Sequence, residues 1–218
     1  MNNKKIYIFV VIALMLLCAN VKINAESLHE VCEFGSFTEI KDAIKAGGKV
    51  NEKDEQGRTP LMVACEAESS WEIIQLLLSF GALVNDTDND GKTAIMYAAQ
   101  YNKYPRVIAE MVKVGGNVNM KAKDGKTALM FACASNKSVQ VVSDLVKFGA
   151  KVNEKDKYGF TAIQYIKNNP NNKDLIAAVL INAGAKYNEK DLDFGQEQDQ
   201  AQEQDQDQDQ NQDQDNQE

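Results

Sequence analysis

Residues 52–85 read EKDEQGRTPLMVACEAESSWEIIQLLLSFGALVN, and this stretch decides the fold. It opens from Asp54 to Gly57 with turn-forming residues, and the glycine can take a positive φ without steric cost. Thr59 then supplies a hydroxyl that can cap a helix, and the proline after it is tolerated in a first helical turn. The stretch therefore predicts a turn and then a short helix that begins near Leu61.

The second half of the same stretch predicts another helix. Trp71 to Ser79 carries aliphatic side chains over a broad face, and Gly81 follows at the position of a left-handed C-cap. The first helix, from Leu61 to about Glu66, is rich in small residues. Each helix is too short to be stable alone, so its stability must come from packing against neighbouring copies of the unit.

The unit recurs with a period of 34 residues. Its markers are a turn glycine, a threonine two residues later, and an asparagine at the far end. These are Gly57, Gly91, Gly125 and Gly159; Thr59, Thr93, Thr127 and Thr161; and Asn51, Asn85, Asn119 and Asn153. Asn188 follows Asn153 by 35 residues, which we interpret as one residue inserted in the loop 168–172. Self-similarity at such a period indicates a solenoid.

The repeated motifs resemble the ankyrin repeat. They are Asp54-x-x-Gly57-x-Thr59-Pro60-Leu61, then Ala64-Cys65, then Leu76-Leu77-x-x-x-Gly81-Ala82-x-x-Asn85, with related openings from Asp88, Gly125 and Asp156. The resemblance covers residues 27–188. It implies an all-α helical-repeat solenoid, in which helix-turn-helix units are joined by β-hairpin-like turns.

The sequence predicts three regions. Residues 1–25 are an export signal, residues 26–190 are the ankyrin-like repeat domain, and residues 191–218 are an acidic tail of alternating Gln and Asp. The predicted units are 27–51, 52–85, 86–119, 120–153 and 154–188, of which the first and last are caps. The tail has almost no apolar residues to offset the entropy of ordering, so it is predicted to be disordered.

The sequence departs from the ankyrin pattern in three places. In the last unit, Gln164-Tyr165-Ile166 replaces the small alanine pair, which is consistent with a cap. Family members typically carry, after the opening leucine, a histidine that forms hydrogen bonds between neighbouring turns, and here only His29 keeps it. Its place is taken by Met62, Met96, Met130 and Gln164. Methionine lacks the imidazole donor, so those hydrogen bonds are not assured. Ala122 replaces the turn aspartate of its unit.

The first residues of the chain have the pattern of an export signal. Lys4 and Lys5 precede the apolar run 6–17, and Ala25 offers a small residue for cleavage before Glu26. The uncharged span is 16 residues, whereas a membrane-spanning helix needs roughly 20. We predict an exported protein, periplasmic or extracellular, with no stable membrane span after signal removal. An uncleaved signal anchor remains an alternative.

The net charge of −8 averages two unlike regions. Residues 191–218 contain eleven acidic residues and no basic one, whereas residues 26–190 contain 21 acidic and 21 basic residues. Binding to nucleic acid requires a clustered basic surface, which a neutral repeat domain gives no reason to expect. No nucleic-acid partner is therefore predicted. The resemblance to ankyrin repeats implies another protein, of unknown identity, as the partner, and the chain itself is predicted to be a monomer.

Few residues suggest chemistry. Cys32, Cys65 and Cys133 share one register position in the first helix and are predicted to be buried, inert thiols. His29 and Cys32 are three residues apart, so a thiol-based redox protein stays an alternative. Because His29 is the only histidine, a Ser-His-Asp triad elsewhere in the chain is excluded. A zinc site would need four ligands, and the sequence contains no Cys-x-x-Cys pair. We predict no enzyme activity, no metal and no cofactor.

Two tripeptides match the acceptor pattern for N-glycosylation. They begin at Asn85 and Asn136. Because Asn85 is a marker of the repeat, its presence is explained without any modification.

The resemblance also implies where a partner docks, namely on the turn tips and on the concave face of the first helices. The matching turn residues are Glu55, Gln56, Arg58, Asn89, Asp90, Lys92, Lys123, Asp124, Lys126, Lys157, Tyr158 and Phe160, and the helix residues are Glu66, Gln100, Tyr101 and Ser135. We predict an exported, non-catalytic interaction module that binds a protein there. A secreted effector that acts on host proteins is a further alternative.

Overall fold

The computed structural model describes residues 27–192, which form nine α-helices and two 3-10 helices without a β-strand. The α-helices are α1 (Leu28–Phe34), α2 (Phe37–Lys45), α3 (Pro60–Glu66), α4 (Trp71–Ser79), α5 (Ala94–Tyr101), α6 (Pro105–Lys113), α7 (Ala128–Ser135), α8 (Val139–Lys147) and α9 (Lys173–Asn182). The 3-10 helices are Ala162–Asn168 and Glu189–Asp191. The predicted all-α repeat architecture is confirmed. The predicted export signal and the tail beyond Leu192 lie outside the described residues.

The helices lie in two rows. In the first-helix row, α1, α3, α5, α7 and the 3-10 helix Ala162–Asn168 pack in sequence order. In the second-helix row, α2, α4, α6, α8 and α9 do the same, and each packs against its partner in the first row. The core runs between the rows and includes the fully buried Leu61, Ile95, Leu129 and Leu145. Within residues 27–192, no helix has the length and apolarity needed to span a bilayer.

The first-row helices begin as the sequence predicts, and methionine takes part in their caps. The Thr59 hydroxyl accepts a hydrogen bond from the Met62 amide at 3.4 Å, and the Met62 sulfur accepts one from the Thr59 amide at 3.4 Å. The Gln164 side chain accepts from the Thr161 amide at 2.9 Å in the same way. Two of the four residues that replace the family histidine, Met62 and Gln164, therefore cap their own helices with their side chains.

Backbone groups supply the hydrogen bonds between neighbouring turns. Each turn is hairpin-like, since the amide of Asp88 donates to the carbonyl of Lys92 at 3.0 Å. The bonds from one turn to the next are Asn89 N to Gln56 O (3.0 Å), Lys123 N to Asp90 O (2.8 Å) and Lys157 N to Asp124 O (3.0 Å). His29 Nε2 adds a hydrogen bond with the Arg58 carbonyl at 2.9 Å. Loss of the histidine in later units thus leaves the turns joined.

The marker asparagines connect each unit to the next. Asn85 Nδ2 donates to the Gly115 carbonyl at 2.9 Å, and Asn85 Oδ1 accepts from the Asn117 amide at 2.9 Å. The same pattern is repeated by Asn51, Asn119 and Asn153. These side chains satisfy carbonyls left free after the second-row helices, which is a physical reason for the asparagine at each period.

A second set of asparagines is buried in the last three units, where each follows the first-row helix. Asn136 Nδ2 donates to the carbonyls of Ala99 at 2.9 Å and Asn102 at 3.0 Å, and its Oδ1 accepts from the Ser138 amide at 2.8 Å. Asn102 and Asn169 make equivalent bonds in neighbouring units. We call Asn102, Asn136 and Asn169 the buried asparagine ladder.

The residue inserted in the last unit lies beside this ladder. α8 begins three residues after Asn136, whereas α9 begins four residues after Asn169. Asn172, in this longer loop, takes a left-handed conformation with a φ of 54°. Asparagine tolerates that region better than most residues, so the extra residue is absorbed without displacing the helices.

Candidate interaction surface

The predicted surface residues are all at least partly accessible. The exposed members are Glu55, Gln56, Asn89, Asp90, Tyr101, Lys123, Ser135, Lys157, Tyr158 and Phe160. The half-buried members are Arg58, Glu66, Gln100, Lys92, Asp124 and Lys126. They lie on the turns and the first-helix row, and their role in binding stays a prediction.

Lysines and aromatic rings alternate along this surface. Lys92 Nζ lies 5.6 Å from the ring centroid of Tyr97 and 5.2 Å from that of Phe131. Lys126 Nζ lies 5.9 Å from the Phe131 centroid and 5.4 Å from that of Tyr165. Each ammonium is within the range of a cation–π interaction with two rings. We call Lys92, Tyr97, Lys126, Phe131 and Tyr165 the cation–aromatic row.

Further aromatic side chains extend the row at its two ends. Phe160 meets Tyr165 edge to face, with centroids 6.3 Å apart, and Tyr101 stacks on Tyr97 at 6.4 Å. Tyr158, on the last turn, is 72% exposed, and Phe160 is 47% exposed. Aromatic side chains are enriched in protein interfaces, so these exposed residues are candidate contacts for a partner.

The turn aspartates hold the aromatic rings in place. Asp88 accepts hydrogen bonds from the amides of Asp90 and Lys92 through Oδ1, and from the Tyr97 hydroxyl through Oδ2 at 2.8 Å. Burial raises the pKa of Tyr97, and the hydrogen bond to Asp88 raises it further, so the hydroxyl stays a donor. Each tyrosine of the row is thereby fixed to its own turn.

The unit with Ala122 has neither the turn aspartate nor the tyrosine hydroxyl of this contact. Where the aspartate is replaced by Ala122, the aromatic residue is Phe131 and carries no hydroxyl. Where Asp156 is present, the aromatic residue is Tyr165, and its hydroxyl donates to the Asp156 carboxylate. The departure from the family pattern at Ala122 is therefore matched by the loss of the hydroxyl that the aspartate would have bound.

Arg58 occupies the corresponding turn position of the second unit, where no aromatic residue follows. Its Nε lies 2.9 Å from Asp54 Oδ2, and its Nη1 lies 2.6 Å from Glu66 Oε2. Partial burial works to raise the pKa of Asp54, but hydrogen bonds from the Arg58 backbone and side chain outweigh it, and the pKa is lowered. Arg58 is thus held by two carboxylates, unlike the lysines of the row.

A shallow groove of about 250 Å³ lies between α7 and the 3-10 helix Ala162–Asn168. Its polar lining consists of Gln100, Lys126, Ser135 and Asn168, and its floor includes the rings of Phe131 and Tyr165. These polar groups can all donate hydrogen bonds, and no carboxylate is among the lining residues. The groove is therefore suited to acceptor groups, carboxylates above all.

Sequence reasoning missed part of this surface. The rings of Tyr97, Phe131 and Tyr165 were not predicted to belong to it, and neither was Asn168. The signal was available, because the three rings are 34 residues apart and each follows the variable turn position by five residues. Only the geometry shows that each lysine lies between rings of adjacent units.

The candidate redox pair does not form a reactive site. Cys32 is 1% exposed, and burial raises the pKa of its thiol to about 12. Burial also raises the pKa values of Cys65 and Cys133, and all three cysteines are free. The thiolate is the nucleophilic form, so these environments oppose redox chemistry. Among residues 27–192, no cluster of His, Cys, Asp or Glu is arranged to hold a metal ion.

We expect the three thiols to be inert in the native protein. Without denaturant, a chromogenic disulfide reagent should react with Cys32, Cys65 and Cys133 orders of magnitude more slowly than with a free thiol, because burial disfavours the thiolate. In denaturant, all three thiols should react as rapidly as a free thiol. Rapid labelling of Cys32 alone in the native protein would restore the redox alternative.

The fold defines a helical-repeat protein. A family model for ankyrin repeats, in three copies, matches residues 28–121 and 101–191, which together make up well over half of the chain. The chain therefore belongs to the ankyrin-repeat family. Ankyrin repeats are generally protein–protein interaction modules and typically non-catalytic. Among the curated proteins, none matches this chain.

Proposed function

We propose that the protein is an exported, non-catalytic module that binds a protein partner through its turn tips and its first-helix row. The observation that supports this most strongly is the cation–aromatic row with its exposed ends. Tyr101, Tyr158 and Phe160 are 40%, 72% and 47% exposed, and none of them belongs to the buried core. Tyrosine and arginine are among the residues most often found at binding hot spots.

The alternation of lysines and rings also suggests how a partner would be held. Tyr97 and Phe131 are themselves buried, so the apolar area open to a partner comes from Tyr101, Tyr158 and Phe160. The buried rings position Lys92 and Lys126, which place charge between the exposed aromatic ends of the row. An interface of this kind favours a partner segment that carries both apolar and acidic side chains.

Replacement of both Tyr158 and Phe160 by alanine should abolish capture of the partner. Two hot-spot rings together are expected to account for at least about tenfold in affinity. The measurement is an affinity pull-down from source-cell extract with the tagged protein, followed by titration of the captured partner.

A matched control exists on the second-helix row. Phe80 and Phe148 are also exposed, at 45% and 37%, but they lie at the ends of α4 and α8. The Phe80→Ala, Phe148→Ala double variant should capture the partner as the unaltered protein does. Equal capture by the unaltered protein and by both double variants would count against the proposed surface.

Export rests on the amino-terminal sequence alone. Lys4, Lys5 and the apolar run 6–17 have the composition of a signal, and we propose cleavage after Ala25. The mature protein should then appear in the periplasmic or culture fraction with Glu26 as its first residue, which amino-terminal sequencing can establish. A membrane-bound product that retains residues 1–25 would favour the signal anchor, and a cytoplasmic product would refute export.

A further inference from the structure

We infer that the acidic segment, residues 193–218 of this same chain, occupies the cation–aromatic row and its groove when no partner is bound. The segment would act as an internal competitor that the partner must displace. This inference rests on the proposed function, because it concerns the same surface. It is carried by three observations: charge complementarity, the place where the chain leaves the repeat domain, and the length available.

The charges are complementary. The acidic segment contains ten Asp or Glu residues and no Lys or Arg, and Gln makes up much of the remainder. On the other side, the exposed Lys123 and Lys157 form no ion pair among the described residues, and Lys92 and Lys126 lie between rings. Several weak ion pairs can add up when both sets of charges belong to one chain.

The buried turn carboxylates do not compete strongly for these lysines, and the exposed Glu55 and Asp90 form no ion pair with them among the described residues. Asp88 and Asp156 are buried and accept hydrogen bonds from turn amides and tyrosine hydroxyls. Asp124 lies 3.0 Å from Lys126, but it is the only described carboxylate paired with a lysine of the row. The groove itself is lined by hydrogen-bond donors, so carboxylate and amide oxygens of the segment could accept hydrogen bonds there.

The chain leaves the repeat domain beside this groove. The 3-10 helix Glu189–Asp191 packs on the 3-10 helix Ala162–Asn168, and Gln164 Nε2 donates to Asp191 Oδ1 at 3.3 Å. Tyr165 and Asn168, on that same helix, line the groove. The first residue of the acidic segment therefore starts one short helix away from the surface that it would cover.

The segment is also long enough. Its 26 residues span at most roughly 85 Å when extended. Neighbouring helices of a stack lie about 10 Å apart, so the path from the last unit back to Lys92 is about 20 Å. The acidic segment can reach every lysine of the row with most of its length to spare, and the short tether keeps its local concentration high.

Zero-length cross-linking of the full chain tests the inference. A carbodiimide joins a carboxylate to an amine only where the two are in contact, and trypsin releases residues 191–218 as one peptide because it contains no Lys or Arg. At low ionic strength we expect this peptide to be joined to Lys92, Lys123, Lys126 and Lys157, with several-fold less joined at high ionic strength.

Two lysines serve as internal controls. Lys113 and Lys147 lie in the second-helix row with side chains 65% and 64% exposed, and Lys147 belongs to the same unit as Lys123 and Lys126. Cross-links spread evenly over these and the surface lysines would overturn the inference. So would cross-links that form only between two molecules, as shown with a mixture of isotopically labelled and unlabelled chains.

A charge variant separates this inference from the proposed function. In the full chain, Asp205→Asn, Asp207→Asn and Asp209→Asn should reduce the surface cross-links and increase partner capture several-fold. If the cross-links are absent while the Tyr158→Ala, Phe160→Ala variant still loses its partner, only the internal competitor is refuted. If the cross-links form but that variant captures normally, the proposed function fails instead.

Discussion

Replacement of Asn136 by alanine is expected to lower the free energy of unfolding by about 2–4 kcal/mol. Asn136 is 2% exposed, and its side chain bonds the Ala99 and Asn102 carbonyls and the Ser138 amide. Alanine would leave these three groups unpaired in a place that water cannot easily enter. Each buried polar group without a partner costs about 1–3 kcal/mol, although relaxation of the loop recovers part of that sum.

Asn85 is the matched control for this prediction. Its side chain makes the same kind of contact, with one carbonyl and one amide of the next unit, but it is exposed. Water can replace those bonds, so Asn85→Ala should cost about 1 kcal/mol or less. Urea unfolding followed by far-ultraviolet circular dichroism measures both variants. Equal losses would mean that burial of the asparagine ladder does not matter.

The same contacts bear on the glycosylation pattern at Asn136. Its amide nitrogen already donates two hydrogen bonds to buried carbonyls. A sugar on that nitrogen would remove one donor and require space where the side chain is enclosed. The tripeptide at Asn136 is therefore explained by the fold, as the one at Asn85 is explained by the repeat.

The sequence alone predicted what is decided locally. The second helix was predicted from Trp71 to Ser79, and α4 has those bounds. The first helix was predicted from Leu61 to about Glu66, and α3 differs by one residue at its start, Pro60. Turn residues, capping residues and apolar periodicity act within one unit, and repetition of the unit makes each signal visible several times.

The contacts between units were harder to predict. The buried asparagine ladder requires that Asn136 lie next to carbonyls more than 30 residues away, and nothing in its own unit shows that. The cation–aromatic row also depends on contacts between units, because Lys92 lies over one ring of its own unit and one of the next. Such contacts depend on how far adjacent units are displaced from each other, which a period does not specify.

The loss of the turn aspartate at Ala122 illustrates the same point. From sequence it is an isolated departure from the family pattern. In the structure, Ala122 belongs to the unit of Phe131, whereas Asp88 and Asp156 each bind a tyrosine hydroxyl. Two substitutions that are nine residues apart therefore form one change, and the row keeps its ring without leaving a buried hydroxyl unpaired.

A Gly125→Ala substitution should destabilise the protein by about 2–4 kcal/mol, because two costs add. Gly125 has a φ of +85°, a left-handed conformation that costs a residue with a Cβ about 1–2 kcal/mol. A Cβ there would also lie 2.7 Å from the Lys157 amide nitrogen and 3.0 Å from the Asp156 Cα. The next turn must then move, which weakens the 3.0 Å hydrogen bond from the Lys157 amide to the Asp124 carbonyl.

Gly159→Ala separates these two costs. Gly159 has nearly the same φ, +84°, but a Cβ on it would have no atom within 4 Å, since it belongs to the last of the described turns. Only the conformational cost of about 1–2 kcal/mol should remain. The difference between the two variants in urea unfolding measures the coupling between adjacent turns. If the two losses are equal, the turns are independent, and the spacing between Lys126 and the rings beside it must be set by the helices alone.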